Sequence, residues 1–162
     1  MRSLCVTAPD LDSEKETSFR AVLLYEDVPT GAHGKRVTDS IIDSVGPVFT
    51  FDNARWDFSE VDIGSLSAIS AEQAAVAEIV VISMRNGSGL SSSLRIWINR
   101  WILRRKGAHS AFIVLFDSPG PATDFARRHL QNAARRAGMD FFTQTGDVAE
   151  EQIPIGDLLL AV

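Results

Sequence analysis

The segment at residues 78–106 constrains the fold of this chain more than any other. It reads EIVVISMRNGSGLSSSLRIWINRWILRRK. Four consecutive β-branched residues at 79–82 have the length and composition of a buried strand. A small, polar loop at residues 83–93 follows, and a patterned helix comes after it. A buried strand, a polar loop and an amphipathic helix in this order are typical of parallel α/β sheets.

The predicted helix after this loop has one apolar face. Its large apolar residues recur at spacings of three and four: Leu94, Trp97, Ile98, Trp101 and Ile102. Ser91 or Ser92 is suited to cap its start. We therefore interpret Trp97 and Trp101 as core residues and not as a platform for a ligand. The basic residues of the helix, Arg95, Arg100, Arg104 and Arg105, are interpreted as a solvated face.

The same unit recurs along the chain. Apolar runs predict strands at residues 19–25, 48–52, 79–82, 111–116 and 139–143, with helices at 34–45, 71–77 and 123–137 besides the one above. A Pro/Gly loop is predicted at residues 28–34, and residues 53–70 are interpreted as irregular. Because strands and helices alternate, we expect a three-layer α/β fold of the flavodoxin-like type. Its five-stranded parallel sheet would have the order 2-1-3-4-5, with helices on both faces.

Composition limits the domain organisation and the partners. The 162 residues, 45% hydrophobic and 23% charged, predict one domain at residues 1–162 with an N-terminal arm at 1–18 and a C-terminal tail at 146–162. The net charge of −5 argues against a general nucleic-acid partner. Cys5 is the single cysteine, so an internal disulfide is excluded. With neither a long apolar stretch nor a secretory leader, we expect a cytoplasmic protein without a membrane partner.

The loops that follow the first and third strands are the predicted binding site. In the expected strand order these two strands are neighbours, and open α/β sheets bind ligands at the carboxyl ends of such strands. In the first loop we expect a loose anion nest made by Thr30, Gly31, His33 and Lys35. Trp56, in the irregular segment after the second strand, is a candidate to stack on a planar ring, with plain packing as the alternative. No spacing of His, Cys, Asp or Glu matches a metal site.

The third-strand loop carries a resemblance to a known family. Asn86-Gly87-Ser88, then Leu94-Arg95 and then Ile98-Asn99, is similar to the motifs of NADPH-dependent FMN reductases. The resemblance implies that Asn86, Gly87 and Ser88 hold a flavin ring with backbone amides, with FMN as the cofactor. The chain departs from this pattern in the first loop. There the strand ends in Glu26-Asp27, which would repel a phosphate.

Two functional hypotheses follow, and catalytic residues are not identified for either. The first is a flavodoxin-like domain without a working phosphate loop, acting through binding or protein contacts, with a homodimer or another protein as partner. The second is an FMN-binding NAD(P)H-dependent oxidoreductase, in which a flavin or another small molecule is the ligand. Whether the protein is an enzyme is left open between them.

Overall fold

A computed structural model describes residues 18–45, 50–105 and 110–146 of the chain. Nearly all of the predicted N-terminal arm and C-terminal tail lies outside the described residues, as does Cys5. The residues that directly follow the predicted helix at 34–45, Gly46 and Pro47, and Gly107 after the predicted helix of the third unit also lie outside the described residues.

Strands and helices alternate along the described chain. The strands are β1 (Ser18–Tyr25), β2 (Thr50–Asp57), β3 (Ile79–Met84), β4 (Ala111–Phe116) and β5 (Asp140–Thr145). The helices are α1 (Val28–Val45), α2 (Gly64–Val76), α3 (Ser92–Ile102) and α4 (Pro121–Ala137). Single 3-10 turns lie at Glu60–Asp62 and Gly87–Gly89.

The five strands form one parallel sheet in the order β2-β1-β3-β4-β5. In this sheet Leu23 of β1 pairs with Arg55 of β2 on one side and with Val81 of β3 on the other. The four helices flank the sheet, so the predicted three-layer α/β architecture and its strand order are confirmed. The carboxyl ends of all five strands lie at one edge of the sheet.

Each face of the sheet has its own apolar core. On one face Ile41 of α1 packs with Leu23, Val81 and Ile113. On the other face α2, α3 and α4 bury a larger set of side chains, which includes Leu130. Because both faces are covered, β3 and β4 are buried along their whole length.

The apolar stripe of α3 lies in the larger core, as its spacing predicts. Trp97 meets Trp101 edge to face at 6.0 Å, and Trp101 meets Phe112 of β4 at 5.6 Å. Phe112 in turn meets Phe141 of β5 at 6.1 Å. These contacts stabilise the core beyond simple burial. The interpretation of the two tryptophans as core residues is confirmed.

The predicted loop at residues 28–34 is wrong, because α1 begins at Val28. Pro29 is tolerated there, since a helix leaves the amides of its first turn without intrahelical partners. Gly31 and Gly34 do not break the helix but let it approach β1 closely. A Cβ on Gly31 would come within 2.9 Å of the Tyr25 ring, and one on Gly34 within 2.5 Å of Leu23.

The interpretation of residues 53–70 as irregular is also wrong. β2 runs to Asp57 and pairs with β1 along its whole length, and α2 begins at Gly64 and not near residue 71. At the sheet edge β2 exposes the polar residues Asn53 and Arg55 in alternation with Ala54 and Trp56. A half-polar edge strand of this kind lacks the continuous apolar run of a central strand.

The basic residues of α3 and the turn after it are not all solvated. The Arg105 guanidinium donates to the carbonyl oxygens of Ala74, at 2.9 Å, and Ala77, at 2.7 Å, at the end of α2. Arg100 donates to the Ser67 hydroxyl at 3.0 Å. These arginines therefore tie α3 and the turn after it to α2.

Candidate functional site

The ends of β1 and β3 meet at the carboxyl edge of the sheet. The Glu26 amide donates to the Ser83 carbonyl oxygen at 3.1 Å, and the Arg85 amide donates to the Glu26 carboxylate at 2.9 Å. The end of β2 joins them, since the Phe58 amide donates to the Tyr25 carbonyl oxygen at 2.8 Å. The three strand ends thus form one continuous rim.

The N-terminus of α1 is capped by a carboxylate of the protein itself. Asp27 Oδ1 accepts a hydrogen bond from the Thr30 amide at 3.1 Å. The Thr30 hydroxyl in turn accepts from the Glu26 amide at 3.1 Å and from the Asp27 amide at 2.9 Å. This reciprocal arrangement resembles a capping box, with threonine in place of the usual glutamate. An acidic side chain therefore lies where a helix N-terminus would otherwise attract an anion.

The residues predicted to form an anion nest do not all lie together, although Thr30 and His33 line the same cavity. Thr30 is buried within the cap, and Gly31 packs on β1. His33 lines a cavity beside the end of β4. Lys35 lines a separate cleft towards β2, and its ammonium group pairs with Asp39 at 2.7 Å. The reason is the early start of α1, since a helix distributes successive side chains around its axis.

Arg85 links the acidic groups of the rim. Its guanidinium donates a short hydrogen bond to the Asp27 carboxylate and lies 4.0 Å from that of Asp117. Partial burial alone would raise the pKa of Asp27, but the hydrogen bonds from Thr30 and Arg85 lower that pKa below its ordinary value. The same hydrogen bond to Asp27 raises the pKa of Arg85. Pairing of the Arg85 guanidinium with these carboxylates thus stabilises the rim.

Polar groups of the Asn-Gly-Ser turn form hydrogen bonds within the turn and with α4. Asn86 Oδ1 accepts from the Ser88 amide at 2.8 Å and from the Ser88 hydroxyl. Gly87 is buried, and a Cβ there would come within 1.7 Å of the Ala122 carbonyl oxygen. Its amide donates to the Thr123 hydroxyl at 3.3 Å. The small residue at this position thus permits close approach of α4, which is a packing role.

Trp56 lies in β2 and not in a loop, so the predicted placement is wrong. Its indole Nε1 donates to the Gln73 side chain of α2 at 2.8 Å, and its ring packs against the larger core. The alternative of plain packing describes this geometry.

A cavity of about 170 Å³ opens at the rim, beside the first turns of α1 and over the ends of β3 and β4. Its polar lining includes His33, Arg36, Ser83 and Asp117, and its apolar lining includes Leu115. Of these residues, Ser83 opens the loop at residues 83–93 that was predicted to bind, whereas Arg36 was not predicted. A signal was present for Ser83, since it is the one hydroxyl residue in β3, whose other residues are all apolar.

Among the described residues, no group of three or more His, Cys, Asp or Glu side chains is arranged to hold a metal ion. No helix in the described ranges combines the length and apolar character needed to cross a bilayer. Comparison of the chain with protein-family models, with curated proteins and with solved structures gives no match.

Proposed function

We propose that this protein is a flavodoxin-like domain without a working phosphate loop, which acts through protein contacts and not as a flavin enzyme. The position of Asp27 carries the proposal. Its carboxylate caps α1 at the carboxyl end of β1, where a phosphate would otherwise meet helix amides. A bound phosphate would lie beside Asp27 and Glu26, and repulsion between like charges at short range opposes its binding.

The outward face of α2 and α3 is the proposed contact surface. Each helix exposes two large aliphatic side chains seven residues apart, Ile69 and Val76 on α2 and Ile96 with Leu103 at the end of α3. Isolated exposed aliphatic residues are ordinary, but four of them on two adjacent helices form a patch. The two helices are in contact, since the Trp97 indole donates to the Ser70 hydroxyl at 2.9 Å.

The charges beside this patch favour a second copy of the chain as the partner. Residues 60–77, which include α2, carry three acidic residues and no basic one. Residues 91–105, which include α3, carry four arginines and no acidic residue. Two of them, Arg100 and Arg105, bind α2 of the same copy, so Arg95 and Arg104 are the two that can face a partner. A two-fold axis would place α2 of each copy on α3 of the other, which pairs opposite charges around an apolar centre.

Analytical ultracentrifugation of the full chain tests this contact. We expect a dimer that Ile96→Asp converts to a monomer, because the substitution places an unpaired carboxylate at the apolar centre. Val28→Asp is the control, since Val28 is also aliphatic and is even more exposed, but lies at the start of α1. Circular dichroism verifies that both variants are folded. A wild-type monomer at high micromolar concentration, or a dimer that Ile96→Asp leaves intact, would contradict the proposed surface.

Flavin binding is tested separately. We expect purified protein without the visible absorbance of an oxidised flavin, and no saturable binding when FMN is titrated to millimolar concentration. Saturable binding below that range would support the alternative of an FMN-binding NAD(P)H-dependent oxidoreductase. The same FMN titration is carried out with Asp27→Asn and compared with that of the wild type. This substitution removes the charge at the N-terminus of α1 but keeps a side chain that caps helices well.

A further inference from the structure

The cavity beside α1 is lined by a buried hydroxyl group that has no hydrogen-bonding partner in the described part of the chain. Ser83 is 2% exposed, lies between Ile82 and Met84 in β3 and lines the cavity. Its Oγ makes no hydrogen bond to any described residue. Other buried hydroxyls of the described chain are paired, as those of Thr38 and Ser70 are with helix carbonyl oxygens at 2.8 Å. The Ser83 hydroxyl opens into the cavity and forms no hydrogen bond within the described chain, so it is available to a ligand.

The charged groups around this hydroxyl have opposite signs. Arg36 projects from α1, and its guanidinium makes no hydrogen bond or ion pair with any other described residue. Asp117 lies at the end of β4, where Arg85 offsets its charge only in part, at 4.0 Å. His33 also lines the cavity and already has a partner. The cavity thus offers a free cation, a carboxylate and a hydroxyl group.

The remaining lining is apolar and the volume is small. Leu115 is almost completely buried and lines the cavity from the same face of the sheet as α1, whereas the side chains of Met84 and Phe116, which also border it, lie in the larger core on the opposite face. At about 170 Å³ the cavity is smaller than the roughly 300 Å³ at which pockets for drug-sized ligands begin. A flavin is therefore too large for it, and a metabolite of a few non-hydrogen atoms matches its size.

From this juxtaposition we infer that the cavity binds a small zwitterion, an α-amino acid with a short aliphatic side chain. Its carboxylate is bound by Arg36 and by the Ser83 hydroxyl, which donates its proton. Its ammonium group faces Asp117, and its side chain packs against Leu115. This site is separate from the contact surface on α2 and α3, so neither proposal depends on the other.

NMR titration of the ¹⁵N-labelled full chain tests the inference. Alanine and valine are the probes, and isovalerate and isobutylamine are the comparison ligands that lack the ammonium and the carboxylate group. We expect saturable shifts of amides at the ends of β3 and β4 with valine or alanine, and binding at least about tenfold weaker for both comparison ligands. Isovalerate or isobutylamine binding as tightly as valine would overturn the zwitterion assignment.

Two substitutions complete the test. Ser83→Ala removes the unpaired hydroxyl without adding volume, so the protein should fold at least as stably as the wild type. Ser83→Ala and Arg36→Gln should each weaken binding by about tenfold. Arg128→Gln, on the exposed side of α4, is the matched control and should leave binding unchanged. Absence of saturable shifts at millimolar amino acid, or equal affinity in all three variants, would overturn the site.

Discussion

At Gly87 the fold has no room for a side chain larger than a hydrogen atom. It lies between the end of β3 and α4, where a methyl group would come within 1.7 Å of a backbone carbonyl oxygen. Gly64, the first residue of α2, has nothing within 4 Å of the position that a Cβ would take. The two glycines therefore form a matched pair in which only the surroundings differ.

We expect Gly87→Ala to lower the free energy of unfolding by about 3 kcal/mol or more, because α4 must shift to admit the methyl group. Gly64→Ala should change it by no more than about 1 kcal/mol, in the stabilising direction, since alanine restricts the unfolded chain. Urea denaturation measures both. Equal stability of the two variants would contradict the close contact at α4.

The Asp27 cap predicts a specific dependence on pH. Because the pKa of Asp27 is lowered in the folded protein, its charge stabilises the fold above the pKa of the unfolded chain, near 3.9, and this contribution is lost as pH falls through the folded pKa. Asp27→Asn should cost about 0.5–1 kcal/mol at neutral pH, as expected for a partly exposed ion pair. The difference from wild type should shrink between about pH 5 and pH 2. A difference that stays constant over this range would exclude the ion pair as its source.

His129 predicts a loss of stability in the same direction, as pH falls, but in a higher pH window. Its partial burial, with Arg95 and Arg136 nearby, lowers its pKa in the folded protein. Between that lower pKa and about 6.5 the unfolded chain binds a proton that the folded chain does not, so stability falls as pH is lowered through this window. His129→Gln should therefore become more stable relative to wild type as pH falls from about 8 to 5. Thermal unfolding across this range measures the difference, and a constant difference would contradict the prediction.

Single residues were predicted from the sequence where helical spacing determines their environment. Trp97 and Trp101 were assigned to the core because their spacing in α3 admits one buried face. Gly31 and Trp56 were misplaced because their environment depends on where α1 and β2 begin and end. Those ends depend on the Asp27–Thr30 cap and on pairing with β1, neither of which is a pattern in local composition.

At the scale of elements, the end of α2 depends on a side chain from beyond α3. Arg105 donates hydrogen bonds to three carbonyl oxygens there, those of Ala74, Ala75 and Ala77. Its pKa is lowered by burial, an effect that Glu78 partly opposes. Arg104, its neighbour in the chain, is exposed. The last turn of α2 and the turn after α3 are thus one packing unit.

We expect Arg105→Met to lower the free energy of unfolding by about 2–3 kcal/mol, because the substitution leaves these carbonyl oxygens without their donor. Arg104→Met, the matched control, should change it by less than about 0.5 kcal/mol, as is usual at an exposed position. Chemical denaturation of both variants provides the comparison. Equal stability would show that water replaces the guanidinium without cost.

At the scale of the whole molecule, the strand order was predicted correctly from the alternation of strands and helices together with the few orders that such sheets adopt. Alternating strands and helices imply parallel pairing with right-handed crossovers, which leaves few arrangements. The candidate site was only partly predictable. Ser83 lies in the loop that was predicted to bind, but Arg36 was not predicted, because its position beside Ser83 depends on how α1 packs on the assembled sheet.

The position of each strand in the sheet predicts its resistance to hydrogen exchange. All six residues of β3 are buried between β1 and β4, whereas no residue of β5 is fully buried. We expect the β3 amides to exchange only on global unfolding and those of β5 to exchange through smaller openings. Mass spectrometry or NMR measures the amide exchange rates of the two strands, and equal protection of β3 and β5 would contradict the prediction.

The strand order also affects how the protein emerges from the ribosome. β1 pairs with β3, so Arg20 finds its hydrogen-bonding partner Glu78 only 58 residues later. Until β3 has been synthesised, the nascent chain carries an apolar β1 with one side unpaired, and an unpaired strand invites association with other chains. Chaperone dependence should therefore be greatest for chains that stop between β2 and β3.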